Sequence, residues 1–229
     1  DDMHILTRIM KKKYPNLPYF LLGHSMGSFA VRVYAACFGD EIDGFVLIGT
    51  GELPEAIGIL QAPINELVDK LGARSKVDFL MPILNKMSSA VAFDFKDEIG
   101  WITSDEKGRE YYRSDELMGH PFKLGGYRDV VALFNKCSEK TWASKIRKDM
   151  PILILGGTED VVGMKGKGVI AVQDNLESVG ISPTVMLYKN ARHDLLQEKD
   201  REKISNDILN WLRTIYLTKA ERNCQKKEQ

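Results

Sequence analysis

Residues 19–49 read YFLLGHSMGSFAVRVYAACFGDEIDGFVLIG, and this stretch decides the fold. The apolar run Tyr19-Phe20-Leu21-Leu22-Gly23 has the length of a strand, as does Gly44-Phe45-Val46-Leu47-Ile48-Gly49. Between them Met26, Phe29, Ala30, Val33 and Cys37 recur on one face of a helix that stops at Gly39, a position suited to a left-handed cap. The unit is strand, helix, strand. Strands apolar on both faces and joined by helices belong to parallel sheets covered on both sides, so the predicted class is α/β.

The pattern resumes at Pro151-Ile152-Leu153-Ile154-Leu155-Gly156, followed by a helix carrying Val169, Val172, Leu176 and Val179, with Gly180 at its end. A strand over Thr184–Tyr188 and a last helix with Ile204, Ile208, Leu209, Leu212 and Ile215 on one side complete the series. Residues after about Lys219 are polar and are expected to fray. At the front, Met3, Ile5, Leu6, Ile9 and Met10 recur at helical spacing before Tyr14-Pro15. No capping residue precedes them, so the expectation is that the natural start lies upstream.

Residues 52–126 break the rhythm, with helix-like stretches and no convincing strand. Residues 77–84 and 90–93 are apolar over more than one helical face. Two readings fit: the core of a helical subdomain, or a lid whose apolar side meets a greasy substrate. The expected division is a first core part over 1–51 holding the nucleophile turn, an inserted cap over 52–126, and a second core part over 127–229.

Composition removes other classes. In 229 residues, 44% are hydrophobic and 28% charged, enough to bury a large core. Lys plus Arg number 32 and Asp plus Glu number 32, so no bulk field gathers nucleic acid or an anionic membrane. The runs Lys11-Lys12-Lys13 and Lys226-Lys227 read as solvated surface. Cys37, Cys137 and Cys224 are odd in number and widely spaced, which speaks against a disulfide framework and against a structural metal. No apolar run has the ~18–20 residues needed to cross a bilayer, and Asp1-Asp2-Met3-His4 does not open a secretory signal, so the expected location is cytoplasmic.

The chemistry starts at Gly23-His24-Ser25-Met26-Gly27, a G-x-S-x-G segment between a strand and a helix. A nucleophilic serine needs a sharp strand-to-helix turn, and glycines two residues to either side, Gly23 and Gly27, are expected to let the backbone pass without a β-carbon clash. The helix it opens aims its N-terminal amides at the reacting group, so the Met26 N–H is positioned to donate to an oxyanion. The bland alternative is a tight turn with a capping serine.

A serine hydroxyl needs a base, and only His4, His24, His120 and His193 are available. His193 lies in the loop between the last strand and the last helix. The carboxylate that orients it is sought after the Ile152–Leu155 strand, where Gly156-Gly157-Thr158-Glu159-Asp160 stands. Asp160 is favoured over Glu159 because it is shorter and sits further along the turn. Asp194, adjacent to His193, reads as surface.

With the order Ser25, Asp160, His193, the chain resembles α/β-hydrolases of the monoacylglycerol lipase and lysophospholipase group, also described as serine aminopeptidase-like hydrolases. The matching segments are Gly23–Gly27, Leu155–Asp160, Leu187–Asp194 and Phe122–Asp129. The resemblance implies an α/β-hydrolase fold whose insertion is a mobile helical cap shaping an acyl pocket. It implies a serine carboxylic-ester hydrolase acting on a small ester or lipid, without cofactor or metal and without a nucleic-acid partner. Transient contact of the cap with a membrane surface goes with that reading. His193 would take the Ser25 proton, Asp160 would hold the imidazole, and water would hydrolyse the acyl-enzyme. The alternatives are a peptidase or acyltransferase using the same residues, or an inactive remnant acting as a binding scaffold.

Two departures stand out. Val161-Val162 follows the acid where relatives commonly have Pro. The strands that precede the nucleophile turn in the family, with the His-Gly loop that gives a second oxyanion donor, have no counterpart here. The expectation is therefore that these residues are the back two-thirds of a hydrolase.

Overall fold

In the computed structural model, which describes residues 2–52, 59–78, 97–138 and 141–225, the apolar runs become four parallel strands. They are β1 (Phe20–His24), β2 (Gly44–Ile48), β3 (Ile152–Gly157) and β4 (Thr184–Tyr188), side by side in that order. Phe45 pairs with Leu21 on one side and Ile152 on the other, and Ile154 pairs with Val185. Every residue of β2 and β3 is buried, as continuous Val, Ile and Leu runs demand. β1 and β4 are the edges of this sheet and are only partly covered.

Helices α1 (Asp2–Lys13), α2 (Met26–Phe38), α3 (Gln61–Leu71), α4 (Glu106–Ser114), α5 (Leu124–Ser138), α6 (Lys167–Glu177) and α7 (Arg201–Gln225) connect and flank the strands. One core forms where Val31 and Tyr34 of α2 and Val169, Val172 and Leu176 of α6 meet Phe45, Leu47, Ile152 and Ile154. On the opposite face Ile204, Ile208 and Trp211 of α7 cover Val46, Ile48, Leu153 and Leu155. Among the described residues no helix is long and apolar enough to cross a membrane.

Several local expectations change. Gly39 is right-handed, at φ −58° and ψ −28°, because the chain continues into a 3-10 turn over Gly39–Glu41 instead of reversing. Gly180, just past the end of α6, is left-handed, at φ +82°. On α1, Ile5, Leu6 and Ile9 are more than half exposed, and the side turned inward carries Thr7, which is fully buried. On α7, Leu209 faces out and Trp211 faces in. The helix also runs past Lys219 to Gln225. Lys11, Lys12 and Lys13 are exposed, Cys37 is an exposed thiol, and the buried Cys137 thiol donates to the Phe29 carbonyl at 3.3 Å.

Of residues 52–126, α3, α4 and the start of α5 are described, and a small cluster of Val68, Val77 and Leu124 holds α3 to α5. The expected boundary after Gly126 falls inside α5. The apolar stretches at 79–84 and 90–93 lie outside the described residues. α5 also packs on α2, with the rings of Phe29 and Phe134 4.6 Å apart and edge to face. Beneath this junction lies Arg32, 1% exposed. Its guanidinium donates to the carbonyls of Gly51 at 3.1 Å and Cys137 at 2.9 Å and to the Glu52 carboxylate at 2.9 Å. It also stacks 4.1 Å over the Trp142 ring. A buried charge persists only with such partners.

Candidate active site

Parallel strands place their C-terminal ends on one rim of the sheet, and three loops on that rim bring the expected residues together. Ser25 stands alone between β1 and α2, at φ +53° and ψ −122°. A non-glycine residue with positive φ is strained, and this turn is overdetermined on both sides. The Ser25 N–H donates to the Ile48 carbonyl at 2.9 Å, and the Ser25 carbonyl accepts from the Ser28 hydroxyl at 2.6 Å.

The flanking glycines are unequal. A β-carbon at Gly23 would lie 2.3 Å from the Gly27 carbonyl oxygen, so the turn requires glycine there. At Gly27 a β-carbon meets no described atom within 4 Å, which corrects the expectation that both glycines relieve a clash. Gly27 already lies in the first turn of α2, and it is its backbone carbonyl that meets Gly23. Because α2 begins at Met26, the Met26 N–H is one of the first-turn amides that no intrahelical carbonyl takes.

His193 follows β4 and is 2% exposed. Its Nε2 lies 2.8 Å from Ser25 Oγ, and its Nδ1 lies 3.0 Å from Asp160 Oδ1. Asp160, fully buried, closes a tight turn after β3 and accepts the Val162 N–H at 2.9 Å. Val161-Val162 thus supplies an amide donor that Pro at 161 would leave in place and Pro at 162 would remove. Glu159 points elsewhere, with its carboxylate partly exposed and 3.8 Å from Lys165 Nζ. Its N–H donates to the Ala191 carbonyl at 2.9 Å, which ties the acid loop to the histidine loop.

The other histidines divide. His4 stacks on Phe38 at 4.1 Å, away from this rim, and His120 is exposed with Nε2 2.6 Å from the Glu116 carbonyl. His24 is at the site, its ring 5.0 Å from that of His193. Burial, and then the neighbouring His193, hold the His24 imidazole below its ordinary value, against the weaker pull of Asp194 and Asp160. Asp194 is half-buried and caps the turn over Leu195–Gln197 through the Leu196 N–H at 3.2 Å.

Two neighbours escaped the sequence reading. Gly49, at φ +60° just after β2, faces His193 so closely that a β-carbon would lie 3.0 Å from its Cε1. A glycine ending a buried strand was the available signal. Trp101, from the insertion, lies over His193 with ring centroids 5.2 Å apart. No periodicity or motif marks it. Among the described residues no group of three or more His, Cys, Asp or Glu side chains is placed to hold a metal ion.

Chemically, this is a hydroxyl, an imidazole and a carboxylate in one hydrogen-bonded line, beside a helix N-terminal amide. Comparison with known proteins gives the arrangement a family. Rat monoglyceride lipase is 27% identical over 215 residues, which are 92% of this chain and 61% of that protein. A monoglyceride lipase homolog of monkeypox virus is 24% identical over 91% of the chain and 67% of its own length. The chain therefore spans about three fifths of the rat protein. Among solved structures, a thermostable carboxyl esterase from Bacillus coagulans superposes with a TM-score of 0.85 at 28% identity, over 93% of this chain and 70% of that one. A soluble variant of Saccharomyces cerevisiae monoglyceride lipase, 23% identical, shares the fold with a TM-score of 0.65. The model of the serine aminopeptidase S33 family matches residues 1–200, and the chain belongs to that family, with the fold of a monoglyceride lipase-like α/β-hydrolase.

Proposed function

We propose that the chain carries the active centre of a serine ester hydrolase acting on monoacylglycerols or similar small lipid esters. The observation that carries this reading is the unbroken line Ser25 Oγ, His193 Nε2 at 2.8 Å, then His193 Nδ1, Asp160 Oδ1 at 3.0 Å. In the proposed cycle His193 removes the Ser25 proton as Oγ attacks the ester carbonyl, and Asp160 holds the imidazole in the productive tautomer. The Met26 N–H receives the oxyanion. His193 then protonates the leaving alcohol, and a water activated by the same imidazole hydrolyses the acyl-enzyme. Residues 52–126 act as the cap over the acyl group.

The glyceride substrate is supported by the names of the relatives, and by the Bacillus coagulans esterase having been captured with glycerol, the alcohol of a monoacylglycerol. The family description names an aminopeptidase, and amide cleavage by the same residues is the competing reading.

A fluorophosphonate reagent on the full chain tests the centre. Labelling is expected on Ser25, to be lost in Ser25→Ala, and absence of labelling under conditions that label a control esterase overturns the proposal. Monoacylglycerols, lysophospholipids and aminoacyl amides compared on the same preparation test the substrate. The expected order has the monoacylglycerol first, and faster amide turnover replaces the lipase reading by the peptidase one.

A further inference from the structure

His193 is held on one side by the acid loop, and on its other side by a segment of the insertion. Residues 100–105 run along the histidine loop and are joined to it at several points. The Asp194 N–H donates to the Ile102 carbonyl at 2.7 Å, the Thr103 hydroxyl donates to the Gln197 carbonyl at 3.0 Å, and the Arg192 guanidinium donates to the Gly100 carbonyl. Gly108 in the first turn of α4 seats against the same loop, where a β-carbon would come within 2.6 Å of the Gln197 carbonyl oxygen. Ile102, Thr103 and Asp105 are buried.

At the centre is Glu198, 3% exposed. One carboxylate oxygen, Oε1, accepts two backbone N–H groups, from Arg192 at 2.8 Å and from Ser104 at 2.9 Å. The other, Oε2, accepts the Ser104 hydroxyl. A buried carboxylate is costly unless donors meet its oxygens, and here three donors come from two chain segments far apart in sequence. Neither segment is a helix or strand whose own hydrogen bonds would fix it. Arg192 is the residue immediately before His193, and Ser104 lies three residues after Trp101, whose indole covers the His193 ring at 5.2 Å.

We propose that residues 100–105 form a strap that positions His193, with Glu198 and Trp101 as positioning residues, so that this part of the insertion moves with the sheet. The proposal rests on the reading of His193 as the general base. Displacement of a base by about 1 Å costs on the order of a hundredfold in rate, which sets the scale of the effect.

Glu198→Ala removes both acceptor oxygens, and with them all three hydrogen bonds, and is expected to lower kcat on a short ester by about tenfold or more, with KM changed by less than about twofold. Glu198→Gln is expected to restore kcat to within about threefold. Its carbonyl oxygen accepts the same two N–H groups, and its amide nitrogen donates to the Ser104 hydroxyl oxygen. Unchanged kcat in a folded Glu198→Ala, or equal losses in both variants, overturns the proposal. A second measurement needs no turnover and no variant: in hydrogen exchange on the unmodified chain, the Ser104, Arg192 and Asp194 amides are expected to exchange slowly and together. Rapid exchange at Ser104 beside slow exchange at Arg192 sinks the strap. If the chain neither labels nor turns over, the ester-hydrolase reading fails, and the exchange data still decide whether the strap exists.

Discussion

The imidazole of His24 lies 5.0 Å from that of His193, ring centroid to ring centroid, and its Nε2 is 3.4 Å from the His193 carbonyl oxygen. Two imidazoles so close, in a mostly buried place, resist sharing positive charge. Burial first, and His193 second, lower the His24 value from 6.5 in the folded state. The sign follows by linkage. Just below pH 6.5 the unfolded chain binds more protons than the folded one, so stability falls as pH drops through that window and is fully present above it. Thermal melts of the wild type are expected to lose midpoint between about pH 7 and 5.5 more steeply than those of His24→Gln. Parallel curves would remove His24 as the source.

The inequality of the two elbow glycines is testable by stability alone. Gly23→Ala places a β-carbon against backbone at 2.3 Å, where nothing flexible yields. A loss of about 3 kcal/mol is expected, or roughly 10 °C in Tm for a chain of this size. Gly27→Ala adds a methyl in the first turn of α2, where alanine favours the helix by up to about 1 kcal/mol, so Tm holds or rises. Calorimetry on both variants checks the order, and equal losses would mean that the turn is set by something other than this contact.

Asp160 and Glu159 are adjacent in sequence and opposite in placement. Asp160→Asn keeps the shape but presents the imidazole with an amide, and kcat is expected to fall by on the order of 10⁴-fold with little change in Tm. Glu159→Gln touches a partly exposed pair with Lys165 and is expected to change kcat by less than about twofold. A large loss in Glu159→Gln with near-normal Asp160→Asn would exchange the two roles.

The sheet was legible because a strand buried on both faces has no polar positions to confuse its pattern, as Phe45–Ile48 and Ile152–Leu155 illustrate. Ser25, Asp160 and His193 were legible as positions because each follows a parallel strand, edge or central, and parallel strands bring those ends to one rim. What escaped is what depends on partners distant in sequence. Nothing local tells that Thr7 and not Ile5 or Leu6 faces inward on α1, or that Trp211 replaces Leu209 in the core under α7. Glu198 and Trp101 escaped for the same reason: one is an acid before a helix, the other an isolated aromatic, until the fold lays their loops together.

Arg32 has a consequence beyond its burial. The carbonyl of Gly51 and the carboxylate of Glu52 stand where the chain leaves the sheet after β2, and the carbonyl of Cys137 stands near the end of α5, before β3. Departure and return are therefore nailed to a single cation, as both leaves of a hinge share one pin. Loss of that cation would free both ends at once, while residues 100–105 between them would stay held by their own contacts with the histidine loop.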